Sequence, residues 1–409
     1  MDLTARERSF LSSAHQRYRD ANAAALDWML DRPPLQGVFP NTKLNPLTLQ
    51  DYTSDDGVRG PRYVYGWIAG RALEALATFA GEFQGTDPER AARLDRAGQC
   101  LFGEVARLYE RHGHGCFCYD RNGQPLLVPS DGPARPQHNP DGLFTYSDAF
   151  FAKGLLAAAA RHDREQVPRF VRYLHDVVAA IGHHRFQIDE RVPLSRSEIA
   201  VQPDDYGPRM ILLGAAPLLQ SLGLDAHADF AGNVIRHVMH HHLDARSGLL
   251  RLAPGVGVAN PGHQIEFVGF AMAWLSGRSQ KPDPALIDRL TTLLIRAFAA
   301  GFDGVGIATQ VSVSTGQPLT PLRPWWSLPE TIRAAALIFR ETGNRKVLDI
   351  WQQADRAFFA RYWRTSPPIA YQTLTEQGPV DAVPSTPDLD PCYHTGLSLL
   401  AAQKTAGLY

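Results

Sequence analysis

A histidine and a glutamate lie three residues apart where a turn leads into an apolar helix. The turn contains Asn260, Pro261 and Gly262, and His263 and Glu266 follow it. Pro and Gly favour a turn just before a helix begins, and the i, i+3 spacing puts both side chains on one helix face. Histidine is the side chain best suited to proton transfer near neutral pH. The segment therefore predicts an acid–base residue at a helix start.

Other side chains that can bind or react lie where further apolar helices are predicted to begin. Aromatic faces stack on the C–H faces of sugars, and polar groups bind sugar hydroxyls. Singly, each position is explained by core packing or by a structural ion pair, but six helix starts together favour a sugar pocket. Its predicted residues are Tyr65, Trp67, Arg71, Tyr146, Asp148, Arg209, His263, Glu266, Arg323, Trp325, Trp326, Glu330 and His394.

About twelve helical segments would position these residues, and they alternate between two classes. Segments such as 88–111 are amphipathic, as surface-facing helices are, whereas segments such as 148–160 are rich in small apolar residues, as buried helices are. The links that lead into the apolar segments are long, and the link at 116–128 reads as a hairpin with Asn-Gly at its turn. The pattern predicts an all-α (α/α)6 barrel, with short β-hairpins in the loops at one end. We expect one domain over residues 1–409.

Composition excludes several classes of partner. The chain has 409 residues and a formal net charge of −1, which gives no electrostatic case for nucleic acid or an anionic membrane. The N-terminal segment lacks the apolar core of a signal peptide, and no window approaches a membrane span. Four cysteines suggest no disulfide framework. We therefore expect a cytoplasmic protein.

Two histidine-rich segments contain residue types that bind metals. Along 112–118 the candidate ligands alternate at i, i+2, which does not match usual zinc spacing and suits the hairpin. His237 and His240 to His242 end an outer helix, where cations suit the helix dipole, and are interpreted as solvated surface. No phosphate loop or nucleophile elbow is present. The sequence predicts no metal and no cofactor.

The motifs resemble those of the N-acylglucosamine 2-epimerase family, which includes cellobiose 2-epimerases and aldose–ketose isomerases. The resemblance covers nearly the whole chain. The most specific part is Asn-Pro-Gly-His-x-x-Glu at 260–266, followed about sixty residues later by Arg-Pro-Trp-Trp at 323–326 with Glu330. Tyr-Val-x-x-Trp with Gly70 and Arg71 precedes these, and Cys-Tyr-His at 392–394 follows them.

The resemblance implies roles for individual residues. His263 and His394 are implied as the acid–base pair that moves the C2 proton of an open-chain sugar. Arg71 is implied as the cation that stabilises the enolate or enediolate, because an imidazole alone cannot quickly remove a proton next to a carbonyl. Glu266 and Glu330 would orient histidines or bind hydroxyls. Members are often homodimers, so a homodimer is a further expectation.

Two departures bear on the substrate. The cellobiose epimerase and mannose isomerase branches carry His-Met-His-x-x-Glu on the sixth helix, where this chain has Ile211 for the second His and Gly214 for the Glu. The stretch is more similar to the N-acylglucosamine epimerase branch, which favours an N-acylhexosamine. The family often has an Arg where this chain has Leu397, and Arg209 is a candidate replacement.

Four activities stay open at this point. A sugar 2-epimerase is favoured, and an aldose–ketose isomerase on the same site is the main alternative. An (α/α)6 glycoside hydrolase or lyase would need two facing carboxylates. A catalytically inactive sugar-binding protein would show ligand-induced stabilisation without turnover.

Overall fold

Helices dominate the computed structural model, which describes residues 3–130, 132–140, 142–382 and 386–409. Within these residues there are fourteen α-helices: α1 Ala5–Asp31, α2 Gly66–Phe83, α3 Pro88–His112, α4 Tyr146–His162, α5 Val167–Gly182, α6 Arg196–Val201, α7 Gly207–Leu213, α8 Ala215–Ser221, α9 Phe230–His241, α10 Pro261–Ser276, α11 Pro284–Gly301, α12 Ser327–Thr342, α13 Arg345–Ala357 and α14 Ser398–Ala406. A π-helical turn, Tyr393–Leu397, precedes α14 and carries His394. The all-α class predicted from periodicity is confirmed.

Local sequence explains where the helices begin and end. Asn260 caps α10 by accepting a hydrogen bond from the backbone N–H of His263 at 3.1 Å, and Pro261 occupies the first turn, where a missing N–H costs nothing. Asp87 caps α3 in the same way, by accepting from the backbone N–H of Arg90. Gly113 ends α3 in the left-handed conformation that glycine adopts without strain.

The two helix classes are confirmed by burial. Almost every side chain of α4, from Ser147 to Ala159, is buried, and α10 is buried from Gln264 to Met272. By contrast, α3 and α13 bury one stripe and expose charged residues on the other face. The predicted sixth segment is divided at Gly214 into α7 and α8, and the short α6 was not predicted.

Short strands lie in the long links. They are β1 Val64–Tyr65, β2 Cys118–Tyr119, β3 Pro125–Leu127, β4 Arg135–Pro136, β5 Phe144–Thr145, β6 Phe186–Gln187, β7 Leu243–Asp244, β8 Leu249–Leu250, β9 Val258–Ala259, β10 Val311–Ser312, β11 Arg323–Pro324, β12 Thr373–Thr375 and β13 Gly378–Pro379. The predicted hairpin is β2–β3, with Gly123 at positive φ in its turn, and β1 and β4 extend it into an antiparallel sheet. β5 and β6 pair in parallel, and the other pairs are antiparallel.

The chain contacts divide into two compact units. The first comprises Met1–Ala25, Asp204–Pro384 and His394–Tyr409, and its core is formed where α12 packs against α10, α13 and α14. The second comprises Leu26–Pro203 and Ser385–Tyr393, and its core is formed by α2 against α3 and α4, with α5 against α4. The expectation of a single domain stays a prediction. Among the described residues, no helix has the length and hydropathy needed to cross a membrane.

In the second unit, α2 and α4 approach each other so closely that glycine is required at their crossing. A Cβ on Gly154 would lie 2.3 Å from the carbonyl oxygen of Gly70, and a Cβ on Gly70 would lie 2.5 Å from the carbonyl oxygen of Phe150. Real side chains do not tolerate such distances, so both positions exclude any larger residue. The next residue along α2 is Arg71.

Candidate active site

In the first unit, three buried ionisable side chains meet at the ends of three helical segments. Nδ1 of His394 lies 3.0 Å from Oε1 of Glu330 and 3.8 Å from Oε1 of Glu266. Glu266 comes from the first turns of α10, Glu330 from the first turn of α12, and His394 from the π-helical turn. All three are at most 5% exposed, so the two carboxylates act on the imidazole with little screening by water.

Arg333 adds a cation to this cluster. One turn after Glu330 on α12, its guanidinium pairs with Oε2 of Glu330 and lies 4.2 Å from the ring centre of Phe270. Glu330 thus contacts a guanidinium through one carboxylate oxygen and the imidazole of His394 through the other. The carboxylate that faces Nδ1 fixes the orientation of the His394 ring. His394, Glu266 and Glu330 also have ligand types that bind metals, but Arg333 already occupies an oxygen of Glu330.

The second histidine, His263, lies against the same tryptophan as His394. The ring centre of Trp326 is 5.3 Å from that of His263 and 5.8 Å from that of His394, at interplanar angles of 32° and 38°. Trp325 meets His394 edge-on at 6.4 Å. The indole of Trp326, half-buried at the start of α12, is therefore shared by both imidazoles.

His263 differs from His394 in its electrostatic surroundings. Burial lowers the pKa of His263 to about 4, because no carboxylate stabilises its charged form. Its Nδ1 is buried and has no hydrogen-bond partner among the described residues, while the ring retains partial exposure. The site thus combines a neutral imidazole that can accept a proton with an imidazole that is held by carboxylates.

In the second unit, Arg71 lies among aromatic rings. It is 7% exposed, and its guanidinium carbon lies 4.3 Å from the ring centre of Phe150, 5.4 Å from that of Trp67 and 5.6 Å from that of Tyr393. Trp67 also contacts Tyr146 at 5.2 Å between ring centres. The half-buried Trp67 and Tyr146 therefore form an aromatic cluster with a fixed cation, which is the surface predicted for sugar binding.

Glu190 joins this aromatic cluster, although sequence reasoning did not find it. Its Oε2 accepts a hydrogen bond of 2.6 Å from Nε1 of Trp67, and the residue is 3% exposed. Burial, reinforced by the negative charge of Asp148, raises the pKa of Glu190 to about 7, although hydrogen bonds from Ser147, Thr145 and Trp67 oppose the rise. Glu190 follows β6 in a link with no periodic pattern, and no sequence signal distinguished it from a surface glutamate.

Asp148 has a structural role that the sequence analysis did not assign. It is completely buried and closes a capping box with Thr145, and it also accepts from Nδ1 of His114, the backbone N–H of Gly115 and the hydroxyl of Tyr173. These donors satisfy both carboxylate oxygens. We therefore remove Asp148 from the proposed sugar contacts.

Tyr65, Arg323 and Arg209 are also held by protein partners. The hydroxyl of Tyr65 donates to the carbonyl of Val58 within a core cluster. Arg323 is 4% exposed and bonds to Asp303 and to the carbonyl of Pro321. Arg209 pairs with Asp204 at 2.8 Å, so the suggestion that it replaces the cation missing at Leu397 is not supported. Within the first unit, Arg333 is a cation that the structure brings to Glu330, and its i, i+3 spacing from Glu330 could have indicated this pair.

The two departures on the sixth helical segment are explained by packing. Ile211 is buried in α7, and a Cβ on Gly214 would lie 2.5 Å from the ring of Phe270. The phenyl ring of Phe270, which also supports Arg333, fills the space that a side chain at 214 would need. The chain therefore offers no titratable group at 211 or 214.

Comparison with known proteins gives one family and one fold. Residues 208–396 match the model of N-acylglucosamine 2-epimerase (GlcNAc 2-epimerase), and no curated protein sequence matches significantly. A sugar epimerase from a ruminal bacterium is 14% identical over 97% of this chain and 98% of that chain, with a TM-score of 0.70. Cellobiose 2-epimerase from Bacillus thermoamylovorans B4167 is 13% identical over 96% of this chain and 99% of that chain, with a TM-score of 0.70. A D-mannose isomerase is 15% identical over 99% of this chain and 100% of that chain, with a TM-score of 0.66. The predicted (α/α)6-barrel fold is confirmed.

Proposed function

Through residues 208–396 the chain belongs to the N-acylglucosamine 2-epimerase family, and from this premise we propose that it is a sugar 2-epimerase that moves the C2 proton of an open-chain sugar. The single observation that carries the proposal is the pairing of Nδ1 of His394 with Glu330 at 3.0 Å, beside the indole that His394 shares with His263. Proton removal from one face of C2 and delivery to the other require one proton acceptor and one proton donor. Burial keeps His263 neutral, and the carboxylate of Glu330 suits His394 to the part of donor.

The pairing with Glu330 sets the tautomer of His394. When Nδ1–H donates to the carboxylate, Nε2 is left to exchange a proton with substrate. In the proposed forward step, neutral His263 takes the C2 proton. The C–H electron pair forms a C1=C2 double bond, and the carbonyl π pair moves onto the C1 oxygen, which gives an enolate, or an enediolate if C2 carries a hydroxyl. The imidazolium of His394 then gives its proton to the opposite face of C2. Exchange with solvent restores both histidines.

The developing negative charge on the substrate oxygen needs a cation, because a C–H beside a carbonyl is far less acidic than an imidazolium. The family resemblance assigns this part to Arg71. Its burial and its position over Phe150 at 4.3 Å support the assignment, since both fix the guanidinium before substrate binds. No cofactor enters the proposed mechanism.

An N-acylhexosamine is the substrate that we favour. The branches that act on cellobiose and mannose carry His and Glu where this chain has Ile211 and Gly214, and Phe270 fills the space beside Gly214. The chain therefore lacks the two polar groups of those branches, and the stretch is more similar to that of the N-acylglucosamine epimerase branch.

Deuterium incorporation tests the proposed reaction. Candidate N-acetylhexosamines, free hexoses and disaccharides are incubated with enzyme in heavy water and analysed by NMR. We expect deuterium at C2 of an N-acetylhexosamine, and a loss of roughly 10²–10⁴-fold in rate for His263→Asn and for His394→Asn. His183→Asn, at an exposed position, is the matched control. No exchange with any sugar would refute the proposal.

Product identity separates the remaining activities. A C2 epimer supports the proposal, whereas a ketose shows the proton returned to C1 and supports an aldose–ketose isomerase on the same residues. Sugar-induced thermal stabilisation without exchange identifies a binding protein. Hydrolysis that Glu330→Gln abolishes and His263→Asn preserves identifies a glycosidase.

A further inference from the structure

Outside the proposed active site, three side chains of the first unit direct metal-binding atoms toward one point. Asp204 precedes α7, His237 lies on α9, and His242 follows the end of α9. One ligand atom from each lies within 4.8 Å of the other two, and Nε2 of His237 is 3.8 Å from Oδ2 of Asp204. Residues far apart in sequence, 204 and 237–242, are thereby brought together.

His242 is oriented as a metal ligand is. It is completely buried, contrary to its interpretation as solvated surface, and its Nδ1 lies 3.2 Å from the carbonyl oxygen of Arg251. A carbonyl can only accept, so Nδ1 carries the hydrogen and Nε2 keeps its lone pair. Histidines that bind metals are commonly held by such a bond from the other ring nitrogen.

The free nitrogens are not satisfied by the protein. Nε2 of His242 and Nε2 of His237 are both buried and have no hydrogen-bond partner among the described residues. Burial, followed by the positive charge of Arg209, lowers the pKa of His237 to about 4, and burial also lowers the pKa of His242. Both imidazoles are therefore neutral at pH 7, which is the form that coordinates metal.

Asp204 supplies the negative charge. Its Oδ1 pairs with Arg209 at 2.8 Å, and its Oδ2 faces His237. Although partial burial raises the pKa of Asp204, the pair with Arg209 brings the net pKa below its usual value, so the carboxylate is ionised. The guanidinium orients the carboxylate through one oxygen and leaves the other available.

We propose that Asp204, His237 and His242 form a binding site for a divalent transition metal ion of the zinc class. Two imidazoles and one carboxylate are a common three-ligand zinc set, with solvent in the fourth position. The site departs from the sequence-based expectation of no metal. A bound ion would link the segment that leads into α7 to the end of α9. The rings of Tyr206 and His242 already pack there, with their centres 5.3 Å apart.

The exposed histidines of α9 offer a competing explanation. His240 and His241 lie beside the proposed site, and the rings of His237 and His241 are 4.5 Å apart at i, i+4 spacing. Such a pair can bind metal weakly at a helix surface. A double variant, His240→Ala with His241→Ala, removes this surface pair and leaves the proposed ligands intact.

Calorimetric titration of chelator-treated protein with Zn²⁺ tests the proposal. We expect one ion per chain, binding at least about 10-fold weaker in Asp204→Asn and in His242→Gln, and affinity within about 2-fold of wild type in the double variant. Co²⁺ should give the visible bands of four-coordinate cobalt in the wild type and the double variant only. Circular dichroism confirms the fold of each variant, and Asp204→Asn changes an exposed residue, so the test survives if His242→Gln fails to fold.

The overturning results are specific. Binding that the double variant abolishes and Asp204→Asn preserves would assign the metal to the helix surface. The absence of stoichiometric binding to the wild-type protein would also refute the site. Neither result bears on deuterium exchange at C2, so this inference and the proposed function fail independently.

Discussion

At the scale of single residues, the two proposed acid–base groups are distinguished by their neighbours rather than by their type. Glu330 and Glu266 surround Nδ1 of His394, whereas burial alone acts on His263. The two imidazoles therefore lie in different electrostatic surroundings before substrate binds. Two predictions follow from this difference, one for each histidine.

Glu330→Gln should lower kcat by on the order of 10²-fold while leaving KM nearly unchanged, because the amide cannot stabilise the imidazolium of His394. The alkaline limb of the kcat profile should move to lower pH. Glu341→Gln, an exposed change on the same helix α12, is the control. A pH–rate profile that keeps its shape in the Glu330 variant would show that this carboxylate only supports the fold.

His263 should remain neutral from pH 8 down to about pH 5, because burial lowers its pKa to about 4. The unfolded chain binds this proton near pH 6.5, so the contribution of His263 to stability is lost as pH falls from 6.5 toward 4. Nitrogen-15 NMR of the ring measures the titration, with His263→Asn for assignment and exposed His183 as the reference. A midpoint near 6.5 for His263 would contradict its buried, neutral state.

At the scale of elements, Gly214, where the sixth segment divides into α7 and α8, is restricted by one close contact. The ring of Phe270 on α10 occupies the position where a Cβ of Gly214 would lie. The guanidinium of Arg333 lies 4.2 Å from the centre of the same ring. Phe270 is therefore close both to Gly214 and to the arginine that pairs with Glu330.

Gly214→Ala should destabilise the protein by about 1–3 kcal/mol, because the added methyl overpacks against Phe270. The same substitution at Gly103 in α3 meets no atom within 4 Å. It should stabilise by up to about 1 kcal/mol, since alanine is the better helix former. Thermal unfolding of both variants, compared with wild type, provides the measurement. Equal shifts at the two positions would show that Phe270 yields without cost.

Sequence periodicity predicted the elements well, and their ends follow from local chemistry. The predicted start at His263 falls within three residues of the observed start of α10 at Pro261. Side-chain roles were harder to predict. From the sequence alone, Asp148 at a helix start could be a helix cap or a sugar-binding residue. The hydrogen bonds that it accepts within the protein favour the structural role. The properties of Glu190 and His242 arise from their burial in the tertiary structure, which spacing along the chain does not encode.

At the scale of the whole molecule, one buried carboxyl links stability to pH. Glu190 keeps its proton in the folded state up to about pH 7, whereas the unfolded chain releases it near 4.5. Stability should therefore decline as pH rises between these values, by about 3 kcal/mol if Glu190 acted alone.

The homodimer, the cytoplasmic location and the single domain are properties at this scale that stay predictions.

Glu190→Gln should make this decline shallower, because a neutral amide keeps the bond from Trp67 without titrating. Asp205, whose pKa burial raises to about 6, should keep part of the decline. Denaturant unfolding at several pH values from 4.5 to 7.5 gives the free energy of unfolding of each variant. Glu198→Gln, at an exposed position of α6, controls for the loss of one negative charge. A constant difference between Glu190→Gln and wild type over this range would contradict the assigned titration.

The glycine crossing of α2 and α4 has a consequence for anyone who redesigns this protein for another sugar. Because Gly70 and Gly154 leave no room for a methyl group, substitutions at these two positions are closed to directed evolution. The long links, such as the one that carries Glu190, have no such restriction. A mutational library confined to those links would test the proposed sugar contacts while the packing of α2 against α4 stays unchanged.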